Sequence, residues 1–153
     1  MLPGHDIEIA DAEQAYIQAD LKGFETWVCL PWEARTDSMK KSCFARPVVE
    51  LKKALYGHPD SGTLWEDHCD HHARKVGFKP IGENWNSCYV HKELQLFLVI
   101  YVDDFKLAGP EQNMKQGWQL LRTGMCIEAD TQPGVYLGCT RRREEITIKT
   151  VDA

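Results

Sequence analysis

Apolar and polar positions change rhythm several times along this chain. Ile7 and Ile9 alternate with polar neighbours just ahead of Asp11, the period-two pattern of a short strand. The stretch 11–21, "DAEQAYIQADL", is rich in helix formers, and its leading acid is placed to cap a helix. "TWVCLP" (26–31) reads as a strand closed by Pro31, and residues 33–47 read as a loop. "VVELKKALYG" follows and breaks at Gly57. From Ser61 to Val76, the residues Leu64, Trp65, His68, Cys69, His72 and Val76 recur three and four apart. That spacing predicts one helical face, with Ser61 as N-cap and Gly77 at the stop.

The second half is strand-rich. "SCYVH" (87–91) and "ELQLFLVIYV" (93–102) predict two strands, and "DFKLA" (104–108) resumes as a third. Met114 to Leu121 predicts a helix, and "MCIEA", "GVYLGCT" and "EITIKT" predict further short strands. The order favours an α+β fold, a sheet with helices on one face, formed by one domain over residues 1–153. No internal repeat or low-complexity segment is visible.

Composition adds bounds. At 153 residues, 43% hydrophobic and 27% charged, the chain is long enough for its own core and ordinary for a globular protein. Its longest apolar run, Leu94 to Val102, is interrupted by Gln95 and is too short to span a membrane. The first ten residues carry no secretory signal pattern. The six cysteines form no CxxC pair, which fits a reducing compartment better than a disulfide framework. The expected setting is therefore intracellular (cytoplasm, nucleus or a virus-like particle), with no secretion and no membrane partner. A net charge of −5 argues against a uniformly basic nucleic-acid face, so any such contact must be local.

The chemistry concentrates in "LVIYVDDFKLAG" (98–109), where two adjacent aspartates interrupt an apolar hairpin. Two readings are open: a polar hairpin tip with solvated acids, or a metal site. Adjacent carboxylates in a partly dry turn repel unless a cation or proton intervenes. A third carboxylate at another strand end would complete a cage for hard divalent ions, and Asp11 is the natural candidate.

These residues resemble a known family. "YVDD" (101–104), between an apolar strand and "FKLAG", resembles the signature of retroelement reverse transcriptases, in the Val form of the Ty1/copia group. "DAEQAYIQADL" (11–21) resembles that group's first catalytic block, in which an aromatic follows the Asp by five residues. "LKKALYGHPDSGTLW" (51–65) resembles its "LKK-LYG" block, and "YLGC" (136–139) the start of its primer-grip hairpin. The four blocks run in the family's order across residues 11 to 139.

The resemblance implies a polymerase palm, a small antiparallel sheet backed by helices, acting as an RNA-directed DNA polymerase. It implies that Asp11 and Asp103 bind two Mg²⁺ ions, replaceable by Mn²⁺, with Asp104 in support. It implies that Tyr16, Tyr101 and Asp60 lie near the incoming deoxynucleotide, Tyr16 under its sugar; without the resemblance, Tyr16 reads as a core aromatic on the helix face. Tyr136, Leu137 and Gly138 would approach the primer strand. Lys40, Lys41, Arg46, Lys52 and Lys53, and the run Arg141, Arg142 and Arg143, are then phosphate contacts, or else solvated charges. The implied partners are an RNA or DNA template-primer, deoxynucleotide triphosphates, and the integrase and RNase H of a Pol polyprotein.

Two departures stand out. Asp60 occupies the position of a family Gln, and a carboxylate there is unfavourable beside a triphosphate. Most of the fingers and all of the thumb are missing from 1–153, so a truncated remnant keeping the palm fold is the alternative expectation. Separately, His68, Cys69, His71 and His72, with His91, offer metal donors; a packed helix face explains His68 and Cys69 more simply.

Overall fold

The computed structural model describes residues 2–42, 45–83, 85–140 and 144. Arg141, Arg142, Arg143 and the expected strand "EITIKT" lie outside the described residues. The fold is mixed α+β. Five antiparallel strands form the main sheet: β1 (His5–Asp11), β4 (Lys79–Pro80), β5 (Cys88–His91), β6 (Leu96–Tyr101) and β7 (Asp104–Pro110). Their order is β1-β7-β6-β5-β4. Two small ribbons stand apart: β2 (Trp27–Cys29) with β3 (Val48–Glu50), and β8 (Val135–Tyr136) with β9 (Cys139–Thr140).

The alternation of side chains divides the sheet into two faces. On one, Tyr89, Leu96, Leu98, Ile100, Phe105 and Leu107 are buried, paired as Leu98 opposite Leu107 and Ile100 opposite Phe105. Two helices cover this face. The helix α3 (Ser61–Lys75) buries Trp65, Cys69, His72 and Ala73, and its Asp70 accepts a hydrogen bond from the Tyr89 hydroxyl at 3.2 Å. The helix α4 (Glu111–Leu121) buries Met114, Gly117, Trp118 and Leu121. Gly117 is where α4 touches the sheet: a Cβ there would stand 2.4 Å from Leu96 Cδ1. The Trp118 indole reaches back to β1, donating to Glu8 at 2.7 Å. Burial raises the Glu8 carboxyl above its ordinary range. The other face carries Ile7, Ile9, Asp11, Asp104, Lys106, Phe97, Val99 and Tyr101, all half-buried or exposed.

Several local expectations are corrected. Asp11 is not a helix cap. It is the last residue of β1, and helix α1 is a single turn, Ala15–Gln18, entered through Gln14 in the left-handed region. Pairing with β7 along all of β1 outweighs the helix propensity of 11–14. Ser61 is the first residue of α3 rather than its cap; its buried hydroxyl donates to the Leu55 carbonyl at 2.7 Å. "MCIEA" forms no named strand, but runs beside β1 through backbone bonds between Glu13 and Cys126 and between Glu128 and Asp11. The 33–47 loop contains a short helix α2 (Asp37–Lys41), capped by the Thr36 hydroxyl. The strand β4 was not expected.

No helix among the described residues is long and apolar enough to cross a membrane.

The two faces make a stability prediction. Leu98 is 0% exposed and its neighbour Phe97 is 38% exposed. Leu98→Ala should cost about 2–5 kcal/mol in denaturant unfolding. Phe97→Ala, though it removes more atoms, should cost no more than about 1 kcal/mol.

Candidate functional site

The hairpin joining β6 to β7 turns in two residues, Val102 and Asp103, between the pair Tyr101 and Asp104. Val102 has φ +55°, and Asp103 is not in the positive region, the pattern of a II′ turn. Glycine normally fills that first position. A β-branched residue there is strained, at a cost on the order of 1–3 kcal/mol, and persists only where its surroundings hold it. Two bonds do so. The buried indole of Trp65 donates to the Val102 carbonyl at 2.6 Å, and the Ala12 amide donates to the Asp103 carbonyl at 2.7 Å.

The second bond ties the turn to the end of β1, where Asp11 lies directly opposite Asp104. Directly opposed residues share a face, so the two carboxylates meet on the face away from the helices. Asp11 and Asp103 are exposed and Asp104 is half-buried. Burial, then the charges of Asp11 and Asp103, raise the Asp104 carboxyl above its ordinary range, and its hydrogen bond with Asp11 adds to the effect. Asp104 thus keeps its proton to a higher pH than an isolated aspartate would. No three His, Cys, Asp or Glu side chains among the described residues stand ready arranged around a metal ion. The donor set is nevertheless chemically suited to one. It consists only of hard carboxylate oxygens, crowded enough that each disfavours the charge of Asp104, which is the chemistry that takes up Mg²⁺ or Mn²⁺.

A cavity of about 480 Å³ opens on the flank of the hairpin. Tyr16, Trp65, Tyr101, Val102 and Leu137 line it, with Glu66, Asn86 and Ser87 as its charged and polar groups. It brings together Tyr16, Tyr101 and Leu137, for which the resemblance implies nucleotide and primer contacts. Tyr16 is braced by Tyr56, ring centroids 4.6 Å apart. Leu137 and Gly138 form the two-residue tip between β8 and β9, both at positive φ, the I′ form of a hairpin turn. Tyr136 belongs to β8.

Other expected residues are dispersed. Asp60 is exposed just before α3. Lys52 pairs with Glu50 at 2.5 Å, and Lys53 with Asp20 at 2.6 Å. Lys40 lies 5.8 Å from the Trp32 ring, and Lys41 and Arg46 are exposed. Of the histidine–cysteine cluster, Cys69, His72 and His91 are buried in packing, His68 is half-buried and His71 is exposed. Cys69 is buried and its thiol is pushed strongly up by burial. The His72 ring fills the space a Cβ on Gly124 would need. His68 stacks on Trp65 at 5.5 Å, and burial, then His72, holds its pKa below the ordinary histidine range. His91 packs edge-on against Phe78.

The spacing places Trp65 on a helical face but does not reveal its bond to the turn. A buried tryptophan needs a partner for its indole N–H, which is the signal that could have found it.

No protein-family model matches the chain.

The acid cluster predicts a pH dependence. A carboxyl whose folded pKa is raised stabilises the fold fully below its unfolded pKa, and that contribution is lost as pH rises through the folded value. Asp104→Asn should therefore raise the melting temperature at neutral pH. The gain should shrink as pH falls through the carboxylate range, followed by thermal unfolding of both proteins across that range.

Proposed function

We propose that this chain is the palm of an RNA-directed DNA polymerase of the Ty1/copia type. The reaction is attack of a primer 3′-hydroxyl on the α-phosphate of a deoxynucleotide, with pyrophosphate leaving. The observation that carries the reading is that Asp11 lies directly opposite Asp104 at one sheet end, with the charge of the turn residue Asp103 close enough to act on Asp104. Asp11 and Asp103 would hold two Mg²⁺ or Mn²⁺ ions, with Asp104 beside them. Bound there, such ions activate the attacking hydroxyl and stabilise the leaving group.

The rest of the site is consistent with this role. The aromatic walls of the flanking cavity, Tyr16 and Tyr101, suit an incoming nucleoside, and Tyr16 suits exclusion of a 2′-hydroxyl. The tip Leu137–Gly138, on the same cavity, suits contact with a primer strand. Template-primer and deoxynucleotides are the proposed partners, with integrase and RNase H as companions in a Pol polyprotein inside the cell. A second reading, a remnant with weak nucleic-acid binding, draws support from Lys52 and Lys53. Both are spent on Glu50 and Asp20, which leaves fewer cations for phosphates.

The test is extension of a labelled DNA primer on an RNA template with Mn²⁺ at low salt. Holding the primer end, triphosphate and ions together supplies much of the rate, and Lys52 and Lys53, paired with Glu50 and Asp20, are less available to hold a duplex. We therefore expect distributive addition of single nucleotides, without processive synthesis, lost in Asp103→Asn. No addition under any metal or salt condition would rule out catalysis by this chain and leave the remnant reading.

A further inference from the structure

We infer that Trp65 is a positioning residue for the aspartate turn: its indole N–H sets the orientation of the Val102–Asp103 peptide, and so of Asp103. The claim rests on the proposed metal site for its functional meaning, but its structural half stands alone.

The argument begins with the turn. I′ and II′ turns place the first central residue at positive φ, and they differ at the second, which is positive only in I′. Passing from one to the other rotates the peptide between the two central residues. That rotation carries the first residue's carbonyl to the opposite side, and with it the amide and backbone angle of the second. Both forms occur in this molecule. The tip Leu137–Gly138 has both residues positive, at +48° and +76°, and so is I′. The tip Val102–Asp103 has only the first positive and so is II′.

Residue type accounts for part of the difference: Gly138 takes the positive second position of an I′ turn at no steric cost, a freedom Asp103 lacks. Valine is a poor choice for the first position of either form, and aspartate tolerates the left-handed region better than most residues. The Val102 tip has, in addition, an external hold on its central peptide. The carbonyl of that peptide, Val102 C=O, receives the Trp65 indole N–H at 2.6 Å. Rotating the peptide into the I′ form would break this bond and leave the N–H of a 2% exposed tryptophan without its partner.

Trp65 itself has little freedom. It lies in the first half of α3 and its ring stacks on His68, centroids 5.5 Å apart and planes 18° from parallel. Its position is therefore set by the helix rather than by the turn. The neighbouring bond, from the Ala12 amide to the Asp103 carbonyl, is on the next peptide and anchors the tip to β1 without choosing the rotation of the one before it. The helix thus dictates where Asp103 points relative to Asp11 and Asp104. This is a second layer of support behind the carboxylates.

The test uses Trp65→benzothienylalanine, in which sulfur replaces the N–H and ring size is kept, with Trp65→Phe as its companion. Three readouts are taken: melting temperature, residual dipolar couplings of the Asp103 amide, and Mn²⁺ affinity by electron paramagnetic resonance. We expect a melting temperature lowered by only a few degrees, changed couplings at Asp103, and Mn²⁺ affinity reduced about tenfold, as for loss of a supporting group behind a metal ligand. A role in packing alone would lower the melting temperature and leave the other two unchanged; that result overturns the inference. Should both variants fail to fold, the unmodified protein still decides: absence of a through-bond coupling between the Trp65 indole nitrogen and the Val102 carbonyl carbon overturns it. If wild type binds no Mn²⁺, the metal site is wrong, and the Asp103 couplings alone then judge Trp65.

Discussion

Seven residues of β1 pair with seven of β7, from His5 opposite Pro110 to Asp11 opposite Asp104. A slip of one residue in that ladder would turn every side chain of β1 to the other face. Ala10 would leave the core beside Phe105, Glu8 would lose the Trp118 indole, and Asp11 would point into the apolar layer under the helices. Burial of one face therefore decides where the carboxylates can be. The acids meet because the apolar residues between them have a single acceptable register, and their mutual repulsion is a cost that this register imposes.

That cost is met locally. Asp104 rises in pKa and shares hydrogen bonding with Asp11, while Asp103 is placed in the turn, where it is exposed. The turn adds a second strain through Val102. Both are supported by groups away from the acids, the Trp65 indole and the Ala12 amide. A solvated tip of no consequence could relax by rotating a peptide. This one is bonded against relaxing, which is the pattern expected where strain serves a function.

Much of this was legible in the sequence where periodicity was strong. The α3 face and the β6–β7 pair follow from spacing, because burial on one side forces a period of 3.6 or 2. Asp11 was legible as a partner for Asp103 and Asp104, though it was also given a capping role. That role failed because seven cross-strand pairs outweigh the preferences of four residues. Ser61 misled for a related reason: its hydroxyl finds the Leu55 carbonyl, a partner distant from the helix terminus. The bond from Trp65 to Val102 spans 37 positions, and the cavity draws on Tyr16, Asn86 and Leu137. Neither has a local signature, since each depends on how separate elements meet. Among the charges, the sequence showed that Lys52 and Lys53 were basic but not that Glu50 and Asp20 would take them up.

The central claim is that Asp11, Asp103 and Asp104 form a cation site on the helix-free side of the sheet. It is tested most directly by crystals grown with Mn²⁺ and measured for anomalous scattering. The account predicts a peak within coordination distance, about 2.0–2.2 Å for ions of this size, of Asp11 oxygens and those of Asp103 or Asp104. The peak should vanish in Asp103→Asn crystals. Ordered density for all three carboxylates with no peak between them, or a peak confined to His68 and His71, would contradict it.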